Sequence, residues 1–237
     1  MRRVCDSAWR ARVPRVPMTL ERERERVAAA CRRLAAEGLV IGTAGNVSAR
    51  SDELVAVTAT GAVLARLEPE QVTVVDLAGE LVEGDFEPTS ELDLHLGVYR
   101  RYGAGAVVHT HAPMATALSC VLEGELPCIH YQLLLLGGTV PVAPYATFGT
   151  PELANAVVEA LEGHTAALMA NHGAIAYGQD MDAAVEASLL LEWGCTVYWR
   201  ASMVGTPRTL SEQQRAAVIQ AVSERRYGSV RRVEEAE

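Results

Sequence analysis

The chain has 237 residues, of which 49% are hydrophobic, and its formal net charge at pH 7 is -9. This length and apolar content are sufficient for one large domain with a substantial core. The acidic balance argues against nucleic acid as a partner, because phosphate backbones attract clustered cations, and no apolar stretch reaches the roughly 18 residues that a membrane helix needs.

The first part of the chain predicts a basic extension followed by a helix and several strands. Residues 1–17 are arginine-rich but lack the continuous apolar core of a signal peptide, so we expect one folded domain over residues 18–237. A helix is predicted over residues 19–37, opened by Thr19 and ended by Gly38. Short β-rich runs follow at residues 46–50, 53–60 and 72–82, and the last is expected to fold back as a hairpin.

Helical and extended patterns alternate through the rest of the chain. Helices are predicted at residues 90–101, 150–161 and 180–204, and extended segments around residues 106–111 and 165–178. No internal repeat or low-complexity linker marks a second domain. The interleaving predicts a single α/β domain with a covered mixed sheet.

Two features of the composition limit the chemistry and the compartment. All 21 basic residues are arginine, so the chain has no lysine for a Schiff base or for a Walker-type phosphate loop. The five cysteines form no C-x-x-C pair, and an odd number does not suit a secreted disulfide framework. We therefore expect a protein of the reducing cytoplasm.

The segment "AVVHTHAP" at residues 106–113 places His109 and His111 one residue apart. In a strand these two side chains point to the same face, where they could share a metal ion. A third candidate ligand is His172, which lies where an apolar run breaks at "NHG". Three imidazoles with an open fourth position are typical of a catalytic zinc site. The residues alone also allow a structural, hydrogen-bonded histidine pair, and they leave three competing ligands: His95, His130 and His164.

Three loops upstream of the histidine pair have the composition of anion-binding turns. They are "GTAGN" at residues 42–46, "TATG" at 58–61 and "PTSE" at 88–91. Glycine permits positive φ and exposes N–H groups, so such loops can hold an anion without lysine. Each loop alone is more simply interpreted as an ordinary turn, but the presence of all three in one chain weakens that interpretation and supports an anion site.

With these motifs the chain resembles the class II, zinc-dependent sugar-phosphate aldolases, and within that family its motifs are most similar to those of L-fuculose-1-phosphate aldolases. The matching stretches span about residues 19–227 and are, in order, "GTAGNVS", "TATG", "PTSE", "AVVHTHA", "IHY", "APYATFGT" and "NHGAIA". The resemblance implies a nine-stranded, largely antiparallel mixed sheet between helical layers. It also implies a homotetramer with active sites at subunit interfaces.

The resemblance also implies roles for individual residues. One zinc ion per chain would be bound by His109, His111 and His172, with Glu91 beside them as a further ligand and as proton acceptor and donor. The phosphate of the substrate would be bound by loop residues: Gly45, Asn46, Thr60, Gly61, Thr89 and Ser90. Tyr131 would exchange a proton at the aldehyde end of the substrate from a neighbouring subunit, and Tyr227 would close over the substrate.

The activity implied by the resemblance is retro-aldol cleavage of a small phosphorylated sugar. A ketose 1-phosphate such as L-fuculose 1-phosphate would yield dihydroxyacetone phosphate and an aldehyde, and a methylthio-pentulose 1-phosphate is an alternative substrate. Pentulose-5-phosphate 4-epimerases share the scaffold, but their pattern has aspartate in place of Glu91 and lacks the tyrosine of "IHY". A non-catalytic, adducin-type head domain is disfavoured because it is expected to lack the three histidines and Glu91.

Overall fold

A nine-stranded sheet forms the centre of residues 18–225, the part of the chain that the computed structural model describes. Its strands are β1 (Asn46–Ser51), β2 (Leu54–Thr58), β3 (Val72–Asp76), β4 (Leu81–Glu83), β5 (Ala106–Thr110), β6 (Glu125–Leu126), β7 (Val140–Ala143), β8 (Ala166–Met169) and β9 (Gly173–Gly178). Their order across the sheet is β4-β3-β2-β1-β5-β9-β8-β7-β6. Neighbouring strands pair antiparallel except β7 and β8, which are parallel. The predicted mixed, largely antiparallel sheet is confirmed.

Helices cover both faces of this sheet. They are α1 (Glu21–Ala36), α2 (Leu92–Tyr102), α3 (Pro113–Ser119), α4 (Pro151–Ala160), α5 (Met181–Val204) and α6 (Glu212–Arg225). The core on one face includes residues of α1, α3 and α5, and the core on the other face includes residues of α2 and α4. Val107 and Val108 of β5 belong to opposite cores, which explains why this central strand is apolar at successive positions. The predicted helical layers are confirmed.

The start of α1 differs from the prediction that Thr19 caps the helix. The backbone N–H of Thr19 donates to the carboxylate of Glu83 at 3.2 Å, and the helix begins after Leu20, which has a left-handed φ of 53°. The buried Arg24 donates from Nε to the Thr19 carbonyl at 2.9 Å and forms an ion pair with Glu83 at 3.0 Å. Contacts with β4, rather than a hydroxyl cap, therefore define this helix start.

Two predictions concern the N-terminal extension and membrane-spanning helices. The basic extension at residues 1–17 lies outside the described residues, so the boundary at residue 18 stays a prediction. Within residues 18–225, no helix combines the length and the apolar character needed to cross a membrane.

Candidate active site

The three candidate histidine ligands meet at one edge of the central sheet. His109 lies in β5, where it is paired with Asn46 of β1 on one side and with Ile175 of β9 on the other. His111 follows β5 directly. His172 lies in the tight turn between β8 and β9, and since β9 runs antiparallel to β5, the start of β9 lies beside the end of β5. The topology therefore brings together side chains that are about 60 residues apart in sequence.

Two glycines permit the close backbone approach that this edge requires. A Cβ on Gly173 would lie 2.5 Å from the carbonyl oxygen of Thr110, so a side chain there would push β9 away from β5. Gly45 has a φ of +98°, and a Cβ there would lie 2.8 Å from the carbonyl oxygen of His109. Because neither glycine has a side chain, the loop at Gly45 and the strand that begins at Gly173 pack directly against the backbone of His109 and Thr110.

The imidazoles of His109, His111 and His172 form a compact triangle. Their ring centroids are 4.9, 4.9 and 5.0 Å apart, and one ligand nitrogen from each ring lies within 4.8 Å of the others. His109 Nδ1 is 2.9 Å from the carbonyl oxygen of Ala174 and donates to it, which leaves the lone pair on Nε2 facing the other two rings. The structure thus contains a three-histidine site of the kind that binds a divalent metal.

Burial favours the neutral form of His111 and His172, as metal ligation requires. It lowers the pKa of His111 to about 4, with a further contribution from the neighbouring imidazoles of His109 and His172. The pKa of His172 is also below its ordinary value, for which burial is the first cause and His109 the second. At neutral pH both rings therefore present lone pairs without first losing a proton.

Glu91 lies at the N-cap position of α2 with its carboxylate beside the histidine cluster. Its Oε2 is 3.2 Å from His109 Nε2 and accepts a hydrogen bond of 2.9 Å from Asn46 Nδ2, and its Oε1 is 3.5 Å from His172 Nε2. Burial by itself would raise the pKa of Glu91. The close contact with His109, together with the Asn46 hydrogen bond, outweighs burial and holds this pKa well below its usual range. The carboxylate is therefore ionised at neutral pH.

The residues at this cluster fit a divalent cation. Among the described residues, the buried Oε1 of Glu91 has no hydrogen-bond partner, and a buried, unsatisfied carboxylate oxygen is costly without a positive group nearby. Two ligand nitrogens about 2.0 Å from a tetrahedral ion lie about 3.3 Å from each other. His109 Nε2 and His111 Nε2 are separated by 3.0 Å, which is close to that spacing.

All three predicted anion-binding loops line one cavity of about 370 Å³ next to the cluster. The "TATG" and "PTSE" loops are joined by an isolated β-bridge between Ala59 and Pro88, and the Thr89 backbone N–H donates to the Thr58 carbonyl at 3.0 Å. Every loop residue predicted to bind phosphate lines this cavity, together with Glu91 and two of the three clustered histidines: Gly45, Asn46, Thr60, Gly61, Thr89 and Ser90, with Glu91, His111 and His172.

Of the two predicted tyrosines, only Tyr131 lies in the described part of the chain. Tyr131 opens a short 3-10 helix (Tyr131–Leu136), is 39% exposed, and lies with its ring centroid 4.5 Å from that of His130. It is not among the described residues that line the cavity. This placement accords with the expectation that Tyr131 serves a neighbouring copy, which stays a prediction. Tyr227 lies outside the described residues.

The three competing histidines have other surroundings. His95 is fully buried and hydrogen-bonded to Asn46 and Ser48. The ring of His130 packs edge-on against Trp193 at 4.9 Å, and His164 Nδ1 donates to the Glu162 carbonyl at 2.8 Å. None of the three belongs to the described cluster of potential ligands.

Sequence reasoning missed two groups of residues at this site. Tyr145 and Phe148 line the cavity and are largely exposed, at 65% and 66%; they lie in "APYATFGT", a matching motif to which no role was given. The second group is the buried chain that joins His95 to Glu91 through Asn46. The sequence did contain a signal for this chain. Glu91 and His95 are four residues apart in a predicted helix, and Asn46 and Ser48 are two apart in a predicted strand, so each pair places polar side chains on one face of its element.

Comparison with known proteins agrees with this geometry. Residues 25–199 match the family model described as Class II Aldolase and Adducin N-terminal domain. A 5-deoxy-D-ribulose 1-phosphate aldolase from Bacillus thuringiensis serovar kurstaki is 38% identical over 200 residues, covering 83% of this chain and 93% of the relative. L-fuculose phosphate aldolase from Escherichia coli K12 is 36% identical over 193 residues, covering 80% of this chain and 89% of the relative.

A solved structure gives the same result at the level of the fold. An L-fuculose 1-phosphate aldolase structure superposes with a TM-score of 0.83 at 32% identity, covering 87% of this chain and 98% of that one. The family match covers well over half of the chain, and the curated relatives exceed 30% identity over most of their own length. The chain therefore belongs to the class II aldolase family, and its curated relatives are named as aldolases, which in this class are metal-dependent carbon–carbon lyases.

Proposed function

We propose that this protein cleaves a ketose 1-phosphate by a metal-dependent retro-aldol reaction, releasing dihydroxyacetone phosphate and an aldehyde. One observation carries the proposal: Glu91 and two histidines of the three-histidine cluster, His111 and His172, lie in the wall of the same cavity as three loops with open hydroxyl and N–H donors. Metal ligands and an anion site in one cavity suit a phosphorylated substrate whose reacting carbons lie near the metal and whose phosphate lies farther away.

His109, His111 and His172 would hold one zinc ion per chain, with the carboxylate of Glu91 beside it. A bound divalent cation supplies Lewis-acid stabilisation of the negative charge that develops when a bond next to a carbonyl breaks. This role fits a chain that has no lysine, because an iminium ion on a lysine is the other common way to stabilise that charge.

The loop residues would bind the phosphate group through neutral donors. Thr60, Gly61 and Ser90 are exposed to the cavity, while Gly45 has the positive φ that turns successive N–H groups toward one point. A phosphate bound in this way orients the substrate and needs no lysine or arginine in the wall. The group is remote from the reacting bond, so its binding energy contributes to positioning.

Two side chains would exchange protons with the substrate. Glu91 lies at the cluster with its carboxylate open to the cavity. In the condensation direction it would accept the proton from the carbon that forms the new bond, and in the cleavage direction it would take up a proton from solvent and give it to that carbon. Tyr131, supplied by a neighbouring copy, would exchange a proton with the hydroxyl group that becomes the aldehyde. Tyr227 would close over the bound substrate, as the family resemblance implies.

The aldehyde part of the substrate would contact Tyr145 and Phe148, whose exposed rings line the cavity. Apolar rings suit a substrate that ends in a methyl or methylthio group. This agrees with the names of three relatives: the 5-deoxy-D-ribulose 1-phosphate aldolase, the Escherichia coli L-fuculose phosphate aldolase, and a 5-methylthioribulose-1-phosphate/5-deoxyribulose-1-phosphate aldolase from Rhodospirillum rubrum, 37% identical over 193 residues.

The protein would act in the cytoplasm as a homotetramer with active sites at subunit interfaces. Free cysteines at all four described positions suit a reducing compartment. Association is supported by exposed apolar side chains around the short 3-10 helix, α5 and α6: Tyr131, Leu135, Trp193, Ile219 and Val222. In such an assembly Tyr131 could reach the cavity of an adjacent subunit.

The activity is tested by incubating the zinc-loaded protein separately with L-fuculose 1-phosphate, 5-deoxyribulose 1-phosphate and L-ribulose 5-phosphate. We expect dihydroxyacetone phosphate from at least one of the two 1-phosphates, measured with a coupled dehydrogenase, and little xylulose 5-phosphate from the third. Accumulation of xylulose 5-phosphate, with no triose phosphate from either 1-phosphate, would replace the aldolase proposal by the epimerase.

The phosphate loops are tested by Ser90→Ala, which removes a hydroxyl donor from the cavity wall. A hydrogen bond to a charged group contributes about 1.5–3 kcal/mol, so we expect KM for the phosphorylated substrate to rise about 10-fold or more. Metal content should be unchanged. Ser202→Ala is the matched control, because Ser202 is an exposed hydroxyl on α5 whose bond is to its own helix. Equal loss of bound metal in Ser90→Ala would mean that this loop supports folding rather than phosphate binding.

A further inference from the structure

A continuous chain of buried polar side chains leads from the interior of the protein to Glu91. The Tyr99 hydroxyl is 2.6 Å from Ser48 Oγ, and Ser48 Oγ is 2.6 Å from His95 Nδ1. His95 Nε2 is 2.5 Å from Asn46 Oδ1, and Asn46 Nδ2 is 2.9 Å from Glu91 Oε2. We call these five residues the polar relay. Only Asn46 and Glu91 among them line the cavity, so substrate contact does not explain the other three.

The polar relay follows from the periods of the two elements that carry it. Glu91, His95 and Tyr99 are four residues apart on one face of α2, while Asn46 and Ser48 are two apart on one face of β1. Four residues of helix rise about 6 Å, and two residues of strand rise about 6.6 Å. The matching rises allow side chains from the helix and from the strand to alternate along one line.

The direction of the hydrogen bonds is determined from the carboxylate backwards. Asn46 Nδ2 donates to Glu91 Oε2, so the Asn46 Oδ1 on the other side of the amide faces His95. Oδ1 is an acceptor, so His95 must carry its proton on Nε2. The neutral ring then accepts at Nδ1 from the Ser48 hydroxyl, and Ser48 in turn accepts from Tyr99.

The buried surroundings support a neutral His95. Burial, followed by the electrostatic influence of nearby His109, lowers the pKa of His95 to about 3. The opposite tautomer would place the lone pair of Nε2 2.5 Å from Asn46 Oδ1, with two acceptors facing each other. That contact would favour rotation of the Asn46 amide by 180°, which would turn its oxygen toward Glu91.

We infer that His95 is a positioning residue: by donating from Nε2 to Asn46, it turns the Asn46 NH₂ group toward Glu91 and thereby holds the carboxylate against the three-histidine cluster. Ser48 and Tyr99 support it by selecting the tautomer of His95. The inference rests on the proposed function only for the role of Glu91 at the metal. The hydrogen-bond direction itself depends on no substrate.

The direction of the polar relay is tested directly by ¹⁵N NMR of histidine-labelled protein without metal, at neutral pH. We expect the His95 ring to carry its proton on Nε2 and to lack one on Nδ1, with the signal assigned by its loss in His95→Gln. A ring protonated on Nδ1 alone, or on both nitrogens, would overturn the inference. This measurement needs neither metal nor substrate, so it decides the question even if the protein cleaves none of the sugars tried.

The effect on the metal site is tested with cobalt(II), whose visible spectrum reports ligand geometry. His95→Leu is expected to weaken Co²⁺ binding by about 10- to 100-fold and to change the spectrum, as substitutions behind metal ligands typically do. His95→Gln keeps an N–H donor at about the Nε2 position and is expected to recover most of the affinity. Equal losses in both variants, or an unchanged spectrum in His95→Leu, would indicate a purely structural role and contradict the inference.

A pair of tyrosine variants provides the matched comparison and covers the case in which His95→Leu does not fold. Tyr99→Phe and Tyr102→Phe each remove one hydrogen-bonded hydroxyl from α2, but the Tyr102 hydroxyl donates to the backbone carbonyl of Val158, outside the polar relay. Only Tyr99→Phe should change the tautomer signal of His95 or the Co²⁺ spectrum. The same response to both variants would count against a role for the polar relay.

Discussion

Replacement of His172 by alanine is expected to remove the bound metal and to reduce the rate of cleavage by about 10³-fold or more. The loss follows because the variant keeps only two of the three imidazoles beside Glu91, and because Lewis-acid stabilisation is worth several kcal/mol. His172 is preferable to His109 for this test because it lies in a turn and is partly exposed, whereas His109 is completely buried in β5. Metal per chain is measured after dialysis, and cleavage by release of triose phosphate.

The control for this substitution is His164→Ala. His164 is also a histidine that precedes a strand, but its ring bonds to a carbonyl of its own loop and lies outside the described three-histidine cluster. It should retain about one metal ion per chain and normal activity. Full activity and normal metal content in His172→Ala would rule out the proposed metal centre.

The central strands were predictable because their residues face two cores. β5 and β9 consist of apolar runs bounded by glycine or polar residues, and the fold buries both faces of each. β7 was missed because Pro141 interrupts its pattern, and proline normally argues against a strand inside a sheet. Here β7 pairs with only two residues of the short strand β6, so little of the hydrogen-bond ladder is lost.

The missed helices lack the signals on which sequence reasoning depends. α3 has only seven residues, too few for a clear 3.6-residue period. α6 has no buried residue among those described, and its apolar side chains, such as Ile219 and Val222, are exposed, so no core-facing pattern marks this helix.

The candidate site was predicted from ordered motifs, but the motifs do not show which of their residues contact each other in the fold. His109 and His111 are neighbours in sequence, but the position of His172 beside them depends on β9 running antiparallel to β5, which no spacing reveals. The link from Asn46 to Glu91 was missed for a related reason. It joins a strand to a helix 45 residues later, and only the packing of α2 on β1 brings the two side chains together.

Glu91→Gln is expected to retain metal but to lose at least 10²-fold in rate, the usual contribution of a positioned acid or base. Glutamine has nearly the same volume and can still accept from Asn46, but it cannot take up or return a proton. The decisive measurement is deuterium exchange from D₂O into dihydroxyacetone phosphate, which requires proton transfer at the carbon but no aldehyde. The matched control is Glu87→Gln, the same change on an exposed carboxylate four residues earlier that does not line the cavity. Exchange at the normal rate in Glu91→Gln would mean that another group moves this proton and that Glu91 only supports the metal.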